Sequence, residues 1–211
     1  MLGIAAAASG ASQTVISDIS HPALRLAKAN AELNSGKVGP ILVKELAWGR
    51  ASADEGQELG SFDIVLGSEL VHFALNNSNE LRDLGESQDS QTESCDSKAQ
   101  TFFRRWDDLL DCIADRLKPD GVAILGINVG IRQRKRNVRL KHNRNSLSVS
   151  AQLHGFEHFD FIAAEETLFA ELSGPDQTGR SCFFAVLSHD ASVLENTLSW
   201  LRGCQSAVSS P

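Results

Sequence analysis

Short apolar runs alternate along the chain with segments in which apolar residues recur at helical spacing. The short runs are rich in β-branched residues and predict strands at 14–18, 41–43, 62–67, 122–129, 156–162 and 181–187. The segments with helical spacing predict helices at 2–9, 20–33, 102–117, 146–153 and 194–201. Because a parallel strand pair needs a long crossover connection, this alternation predicts an α/β domain with a mostly parallel sheet.

Turn and capping residues mark several ends of these elements. Ser20 is predicted to cap the second helix, whose first turn contains Pro22, and Asn34-Ser35-Gly36 is predicted to end it. Lys118-Pro119-Asp120-Gly121 is expected to end the third helix and turn into the strand that starts at Val122.

Two segments stand apart by composition. Residues 77–98 are dominated by Ser, Asn, Gln, Asp and Glu, which predicts a disordered acidic insertion. Residues 131–144 follow a strand and carry seven Lys or Arg side chains in fourteen positions. This basic loop suits an electrostatic cradle for an acidic protein substrate, a nuclear-localisation signal or an RNA-binding patch, and it also suits a plain solvated loop. We expect one domain over 1–190 and a C-terminal tail over 191–211.

Composition narrows the class of protein. The chain has 27 acidic and 20 basic side chains in 211 residues, and its formal net charge of −7 disfavours a surface that coats nucleic acid. We expect no membrane span, since no apolar run reaches about 18 residues, and no secretory signal. Four cysteines without CxxC or metal-ligand spacing predict free thiols, no metal site and a reducing compartment, the cytoplasm or the nucleus.

Three successive strand ends offer a carboxylate or an aromatic group. Asp18 ends the first strand, Trp48 follows the second, and Glu69 follows the third. Open α/β sheets bind ligands beyond the carboxyl ends of their strands, where a carboxylate can accept protons from both hydroxyls of a ribose. Each group also has a structural interpretation, Asp18 as a residue that starts a helix and Trp48 as a core side chain. We expect all three to lie along one rim.

The same segments resemble methyltransferase family 16, the protein-lysine methyltransferases. These enzymes have a Rossmann-like, mostly parallel sheet of the class I methyltransferase type and use S-adenosylmethionine. The similarity covers most of residues 2–188 apart from the acidic insertion. It is most specific at Leu46-Ala47-Trp48-Gly49 and at the hexapeptide Gly67-Ser68-Glu69-Leu70-Val71-His72.

The resemblance assigns roles to individual residues. It implies that Asp18 holds the ribose of S-adenosylmethionine, that Trp48 contacts this cofactor, and that Ser68 lies near the adenine. It places Glu69 and His72 on the family's acidic-x-x-Tyr motif at the substrate lysine. His72 replaces the tyrosine of that motif, and the charge of an imidazole varies near neutral pH. We therefore expect a difference in activity or substrate choice; the alternative is that His72 is a surface histidine.

A second departure from the family concerns its first strand and glycine-rich turn, which normally precede Leu2-Gly3-Ile4. By this resemblance, the missing strand would be the central one of the sheet and would lie between the strands that end at Asp18 and at Gly67. The missing turn normally lets the backbone approach the cofactor. We therefore expect an N-terminally truncated product or an incomplete gene model, which binds the cofactor poorly.

Several functions remain in competition at this stage. The leading one is an S-adenosylmethionine-dependent protein methyltransferase that acts on lysine. A methyltransferase for small molecules or nucleic acid is a second, because one fold serves many acceptors. A nucleotide-dependent oxidoreductase would share the Asp18 carboxylate but gives no reason for the Trp48 and Glu69 segments. The last is a non-catalytic remnant or binding scaffold.

Overall fold

The computed structural model describes residues 1–48, 59–68, 70, 107–129, 147–163 and 181–208. The described helices are α1 (Leu2–Ala8), α2 (His21–Leu33), α3 (107–114), α4 (147–153) and α5 (Ala191–Val208). The described strands are β1 (Thr14–Asp18), β2 (Ile41–Glu45), β3 (Phe62–Ser68), β4 (Leu117–Val129), β5 (His158–Ala163) and β6 (Ser181–Ser188). The predicted α/β class is confirmed. The chain divides into two compact units, Met1–Gly60 and Ser61–Pro211.

The first unit is a parallel two-stranded sheet with α1 and α2. The register of β1 and β2 runs from Thr14 opposite Ile41 to Asp18 opposite Glu45. Helix α1 packs closely on β1 at Gly3, where there is no room for a side chain. A Cβ on Gly3 would lie 2.5 Å from Cγ1 of Ile16. The predicted limits of these elements hold to within two residues; the largest difference is β2, which was predicted at 41–43 and extends to Glu45.

The start of α2 differs in one detail from the prediction. Ser20 occupies the N-cap position and Pro22 lies in the first turn, but the Ser20 side chain makes no capping hydrogen bond. Asp18 acts instead: its Oδ1 accepts the backbone N–H of Ser20 at 2.8 Å. The carboxylate therefore orients the turn that leads from β1 into α2.

The second unit is a four-stranded sheet in the order β3-β4-β6-β5. The β3–β4 pair is parallel, whereas β6 runs antiparallel to both β4 and β5. One apolar core lies between this sheet and the helices α3 and α4 and contains Leu110, Ile113, Leu147 and Phe156. A second core lies between the sheet and α5. The antiparallel β6 is a feature that the sequence did not predict.

The segment 118–121 is not the turn that the sequence predicts. Strand β4 already begins at Leu117, opposite Phe62, and the ladder resumes with Val122 opposite Ile64. The intervening residues form an irregularity inside the strand. Long-range contacts stabilise it, since Lys118 Nζ lies 2.7 Å from Asp63 Oδ1 and the carbonyl of Gly121 accepts the Ser188 hydroxyl at 2.8 Å.

The C-terminal residues that were set apart as a tail contain a long helix. Helix α5 buries Leu194 and Leu198 in the core that also contains Val186. Asp190 starts the helix, because its Oδ1 accepts the backbone N–H groups of Ser192 and Val193 at 2.7 and 3.2 Å. The Ser192 hydroxyl, which donates to the same oxygen at 2.7 Å, lowers the pKa of the Asp190 carboxyl most, and the two backbone bonds add to this effect. The helix is therefore an integral layer of the second unit.

β1 and β3 are edge strands of the two sheets that the structure describes. In the described part of the chain, β1 pairs only with β2 and β3 pairs only with β4. The expectation of a missing central strand stays a prediction. The acidic insertion 77–98 and the basic loop 131–144 lie outside the described residues. No described helix is both long and apolar enough to cross a bilayer.

Candidate functional site

The carboxyl ends of β1 and β2 bring two carboxylates together. Asp18 and Glu45 are register partners at the last rung of the ladder, and both are exposed. The Leu46 N–H donates to the Asp18 carbonyl at 3.1 Å, which extends the pairing beyond the strands. Since a carboxylate offers about four acceptor positions, the bond from Ser20 leaves Asp18 capacity for hydroxyl donors. Both interpretations of Asp18, helix start and ligand, are thus compatible.

A histidine that the sequence analysis did not single out lies at this edge. Nδ1 of His21, the first residue of α2, lies 3.6 Å from Oε2 of Glu45. Both side chains are exposed, so solvent screens the pair. The sequence shows that His21 begins the helix that follows Asp18, but it does not indicate that Glu45 is the partner of this histidine.

Trp48 follows β2 on the carboxyl side of the same two-stranded sheet. Its side chain is 37% exposed, whereas Leu46, two residues earlier, is buried. The indole is therefore only partly covered within its unit and presents a surface that a ring could stack against. Asp18, the last residue of β1, and Trp48, three residues after β2, both belong to the first unit.

The end of β3 supplies the third predicted position. Ser68 is exposed and lies opposite Gly126. Gly67, just before it, is buried, and a Cβ there would meet Leu70 Cδ1 at 2.6 Å and Leu125 Cδ2 at 2.7 Å. Any residue larger than glycine at position 67 would therefore require Leu70 and Leu125 to move.

The two residues predicted at the substrate lysine, Glu69 and His72, lie outside the described residues. Ser68 belongs to the second unit and Asp18 and Trp48 to the first. The convergence of Asp18, Trp48 and Glu69 along one rim therefore stays a prediction.

A polar cluster that the sequence analysis missed lies between α3 and α4. His154 contacts Asp107 and Asp111 through its two ring nitrogens, and the Ser150 hydroxyl donates to Asp107. The available signal was an i, i+4 spacing: Asp107 and Asp111 share one face of α3, and His154 follows the last residue of α4, with its N–H bonded to the Ser150 carbonyl at 3.1 Å. Such spacing is too common to predict the contact.

The described thiols match the prediction of free cysteines. Cys112 is buried and Cys204 is exposed, and both are unpaired with another cysteine. Burial raises the pKa of the Cys112 thiol, against the smaller opposing effect of the Arg116 charge. Within the described ranges, no group of three or more His, Cys, Asp or Glu side chains is arranged to hold a metal ion.

Comparison with known proteins finds a family model that is similar to part of the chain. Residues 1–92 match the family model of lysine methyltransferases. A search of curated proteins gives no match. The matched stretch contains all five predicted site residues, namely Asp18, Trp48, Ser68, Glu69 and His72.

Three methyltransferase structures are similar to this chain at low identity. The precorrin-6y C5,15-methyltransferase of Geobacter metallireducens GS-15 has a TM-score of 0.42 and 11% identity, with 83% of this chain and 66% of that chain covered. A SAM-dependent methyltransferase of Methanosarcina mazei has a TM-score of 0.45 and 14% identity over 86% of this chain and 84% of that one. The arsenic(III) S-adenosylmethionine methyltransferase of Chlamydomonas reinhardtii has a TM-score of 0.42 and 15% identity, covering 83% and 55%. The match of residues 1–92 to this family model confirms the resemblance to lysine methyltransferases that the sequence indicates.

Proposed function

We propose that the chain is an S-adenosylmethionine-dependent protein methyltransferase that acts on lysine. The observation that carries the proposal is Asp18, an exposed carboxylate at the carboxyl end of a parallel strand, inside the stretch that matches the lysine methyltransferase family. Trp48 follows the neighbouring strand at the same sheet edge. A carboxylate and an indole so placed suit a ribose and an adenine ring, respectively.

In this proposal the cofactor supplies a methyl group bound to a positively charged sulfur. Asp18 accepts hydrogen bonds from the ribose hydroxyls with the oxygen positions that the Ser20 N–H does not use. Trp48 covers the adenine, and Ser68, exposed at the end of β3, hydrogen-bonds near the base.

The substrate lysine must lose its proton before it can attack a methyl group. With a pKa of about 10.4, neutralisation at pH 7 costs about 4.6 kcal/mol. A carboxylate next to an ammonium favours the charged form, so Glu69 does not serve to neutralise the amine. Its proposed role is to recruit and orient the substrate nitrogen, with the proton released to water and most of the acceleration supplied by alignment. His72 completes this end of the site.

The proposed partner is a protein substrate with an acidic surface next to its target lysine. The basic loop 131–144 carries seven cationic side chains and no acidic one, so it would attract such a surface. This choice distinguishes a protein acceptor from a small molecule, which would need no such loop.

Isothermal titration of the full chain with S-adenosylhomocysteine tests the cofactor part of the proposal. Asp18→Asn keeps an acceptor for the Ser20 N–H but removes the charge, and Asp18→Ala removes both. We expect Asp18→Asn to weaken binding by roughly tenfold to a hundredfold, the value of about 1.5 to 3 kcal/mol for a hydrogen bond to a charged group. Glu32→Gln, an exposed carboxylate on α2, is the matched control and should leave the affinity unchanged.

A second candidate function is a binding scaffold without catalysis. The observation that favours it is that the strands that the structure describes form two small sheets, β1-β2 and β3-β4-β6-β5. A folded chain that gives no heat with S-adenosylhomocysteine and transfers no methyl group to any protein would overturn the methyltransferase proposal in favour of this scaffold.

A further inference from the structure

Strand β3 is an edge strand of the four-stranded sheet, and two of its apolar side chains are exposed. Among the strands that the structure describes, β3 pairs with β4 alone. Ile64 is 58% exposed and Leu66 is 42% exposed. An edge strand presents a row of unpaired backbone N–H and C=O groups, so an apolar one is a template for pairing with another chain. The proposed methyl transfer assigns no role to either side chain.

Both exposed side chains lie on the sheet face that α5 covers. Ile64 is the register partner of Val122, and Leu66 is the register partner of Ile124. Register partners in a sheet point to the same face. Val122 belongs to the core beneath α5, and Ile124 packs against that core. The apolar surface of this face therefore continues from the core across β4 to β3.

The opposite face of β3 already has partners within the chain. Val65 packs against the core that lies between the sheet and the helices α3 and α4. Asp63 is the one charged residue of β3, and its Oδ1 lies 2.7 Å from Lys118 Nζ. The three residues that follow Asp63 are apolar. The middle of β3 therefore carries no charge that would keep another strand away.

The other edge of the same sheet is protected. Strand β5 carries Asp160 at its third position, and Arg202 of α5 lies 3.4 Å from Oδ2 of this carboxylate. A charge within an edge strand disfavours pairing with another chain, because pairing would desolvate it. Of the two edges of this sheet, β3 is therefore the one suited to docking.

We propose that β3 pairs antiparallel with β3 of a second copy of this chain, with the two-fold axis at Val65. In this register Ile64 of each copy lies opposite Leu66 of the other, on the face that α5 covers. Asp63 lies opposite Gly67, which has no side chain, so neither carboxylate meets a like charge. The contact is isologous, since the same residues serve both copies. It does not depend on the proposed methyl transfer.

The occupant is a second copy because the strand complements itself in this register. A shift of the pairing by one residue would bring side chains of opposite faces against each other. A shift by two residues would place Asp63 opposite Val65 and set a carboxylate against an apolar side chain. The register centred on Val65 avoids both and gives two identical contacts between Ile64 and Leu66. Apolar cross-strand pairs of this kind stabilise paired strands.

Sedimentation equilibrium of the full chain between about 1 and about 100 μM tests the pairing, because a contact of this small size is expected to be weak. A thiol reductant excludes a disulfide through the exposed Cys204. We expect a reversible equilibrium between monomer and dimer without larger species, since an isologous contact closes on itself. A chain that is monomeric throughout this range, or that forms larger species, would overturn the proposal.

Ile64→Lys and Leu66→Glu test the contact one position at a time. Each change places a charge opposite an apolar side chain at two symmetry-related positions and should weaken the dimer at least about tenfold. Both positions are exposed in the single chain, so the fold should be retained, which urea unfolding checks. Leu26→Lys, on α2 at a side chain that is 64% exposed, is the matched control. It should leave the dissociation constant within about twofold of the wild-type value.

A chain that carries both β3 substitutions tests the register. The two-fold axis places the introduced ammonium at position 64 of one copy opposite the introduced carboxylate at position 66 of the other, and it does so twice. Opposite charges in a cross-strand pair attract, so this double variant should dimerise within about threefold of the wild type. A double variant no stronger than the single ones, a dimer that survives both single changes, or an equal loss in Leu26→Lys would each overturn the proposal.

Discussion

Asp18 and Glu45 stand opposite each other at the last rung of the β1–β2 ladder, yet their carboxylates have different partners. Asp18 binds the N–H of Ser20 at 2.8 Å, and Glu45 faces the imidazole of His21 at 3.6 Å. Neighbouring carboxylates repel, and separate donors reduce that repulsion. Asp18 is thus oriented by the backbone, while Glu45 is held only by a solvent-exposed side chain.

Because Asp18 and Glu45 have different partners, we expect their neutralisation to affect cofactor binding unequally. Glu45→Gln should change the affinity for S-adenosylhomocysteine by less than about threefold, because a screened surface pair contributes little. Asp18→Asn should cost at least about tenfold, since it removes a charged acceptor. Isothermal titration of both variants under the same ionic strength provides the comparison. Equal losses in the two variants would mean that the acidity of the edge, and not the position of Asp18, determines binding.

The glycine before Ser68 predicts a stability difference between two neighbouring positions. Gly67→Ala should destabilise the second unit by about 1 to 3 kcal/mol, because the new Cβ would lie 2.6 Å from Leu70 Cδ1 and 2.7 Å from Leu125 Cδ2. Gly126→Ala is the matched control in the paired strand, where the nearest atoms are 3.7 Å away. Urea unfolding of both variants measures the difference. A Gly67→Ala midpoint equal to that of Gly126→Ala would show that Leu70 and Leu125 yield without cost.

The thiols predict a contrast in chemical reactivity. Since the thiolate is the reactive form, burial and a raised pKa should make Cys112 react slowly in the folded chain. Cys204 is exposed and should be alkylated at least about tenfold faster. Peptide mass spectrometry after iodoacetamide treatment resolves the two sites. Similar rates in the native chain, or no acceleration at Cys112 in urea, would contradict the burial that the structure assigns to it.

The elements that the sequence predicts correctly are those set by local chemistry. Pro22 and the glycine at position 36 delimit α2, and the β-branched run at 14–18 becomes β1 as expected. The start of β4 was mispredicted because the pairing of Leu117 with Phe62 depends on residues far apart in the chain. The residue types at 118–121 are typical of a turn and therefore predicted that the strand begins only at Val122.

The candidate site shows the same division. The positions of Asp18 and Trp48 relative to β1 and β2 follow from the predicted strands alone, and their role in a site stays a prediction. The partner of His154 could not be predicted, since Asp107 and Asp111 lie more than forty positions earlier, and only tertiary packing of α3 on α4 brings them together. Interactions that depend on helix packing have no local signal.

The bond between Lys118 and Asp63 predicts a measurable response to acid. Lys118 Nζ lies 2.7 Å from Asp63 Oδ1, and the hydrogen bond from this ammonium holds the pKa of the Asp63 carboxyl below its usual value. A carboxyl whose pKa is lowered by folding contributes stability above its unfolded pKa, and this contribution is lost as the pH falls through the folded pKa. The stability difference between the wild type and Asp63→Asn should therefore shrink as the pH falls below about 4.

NMR titration of the Asp63 carboxyl carbon measures the pKa directly. Lys118→Met keeps the apolar stem but removes the ammonium, so the pKa of Asp63 should return toward its ordinary value. High salt should have the same effect in the wild type, because both side chains are accessible to ions and Debye screening weakens exposed pairs. An Asp63 pKa that is identical in the wild type and in Lys118→Met would contradict a stabilising ion pair between these two side chains.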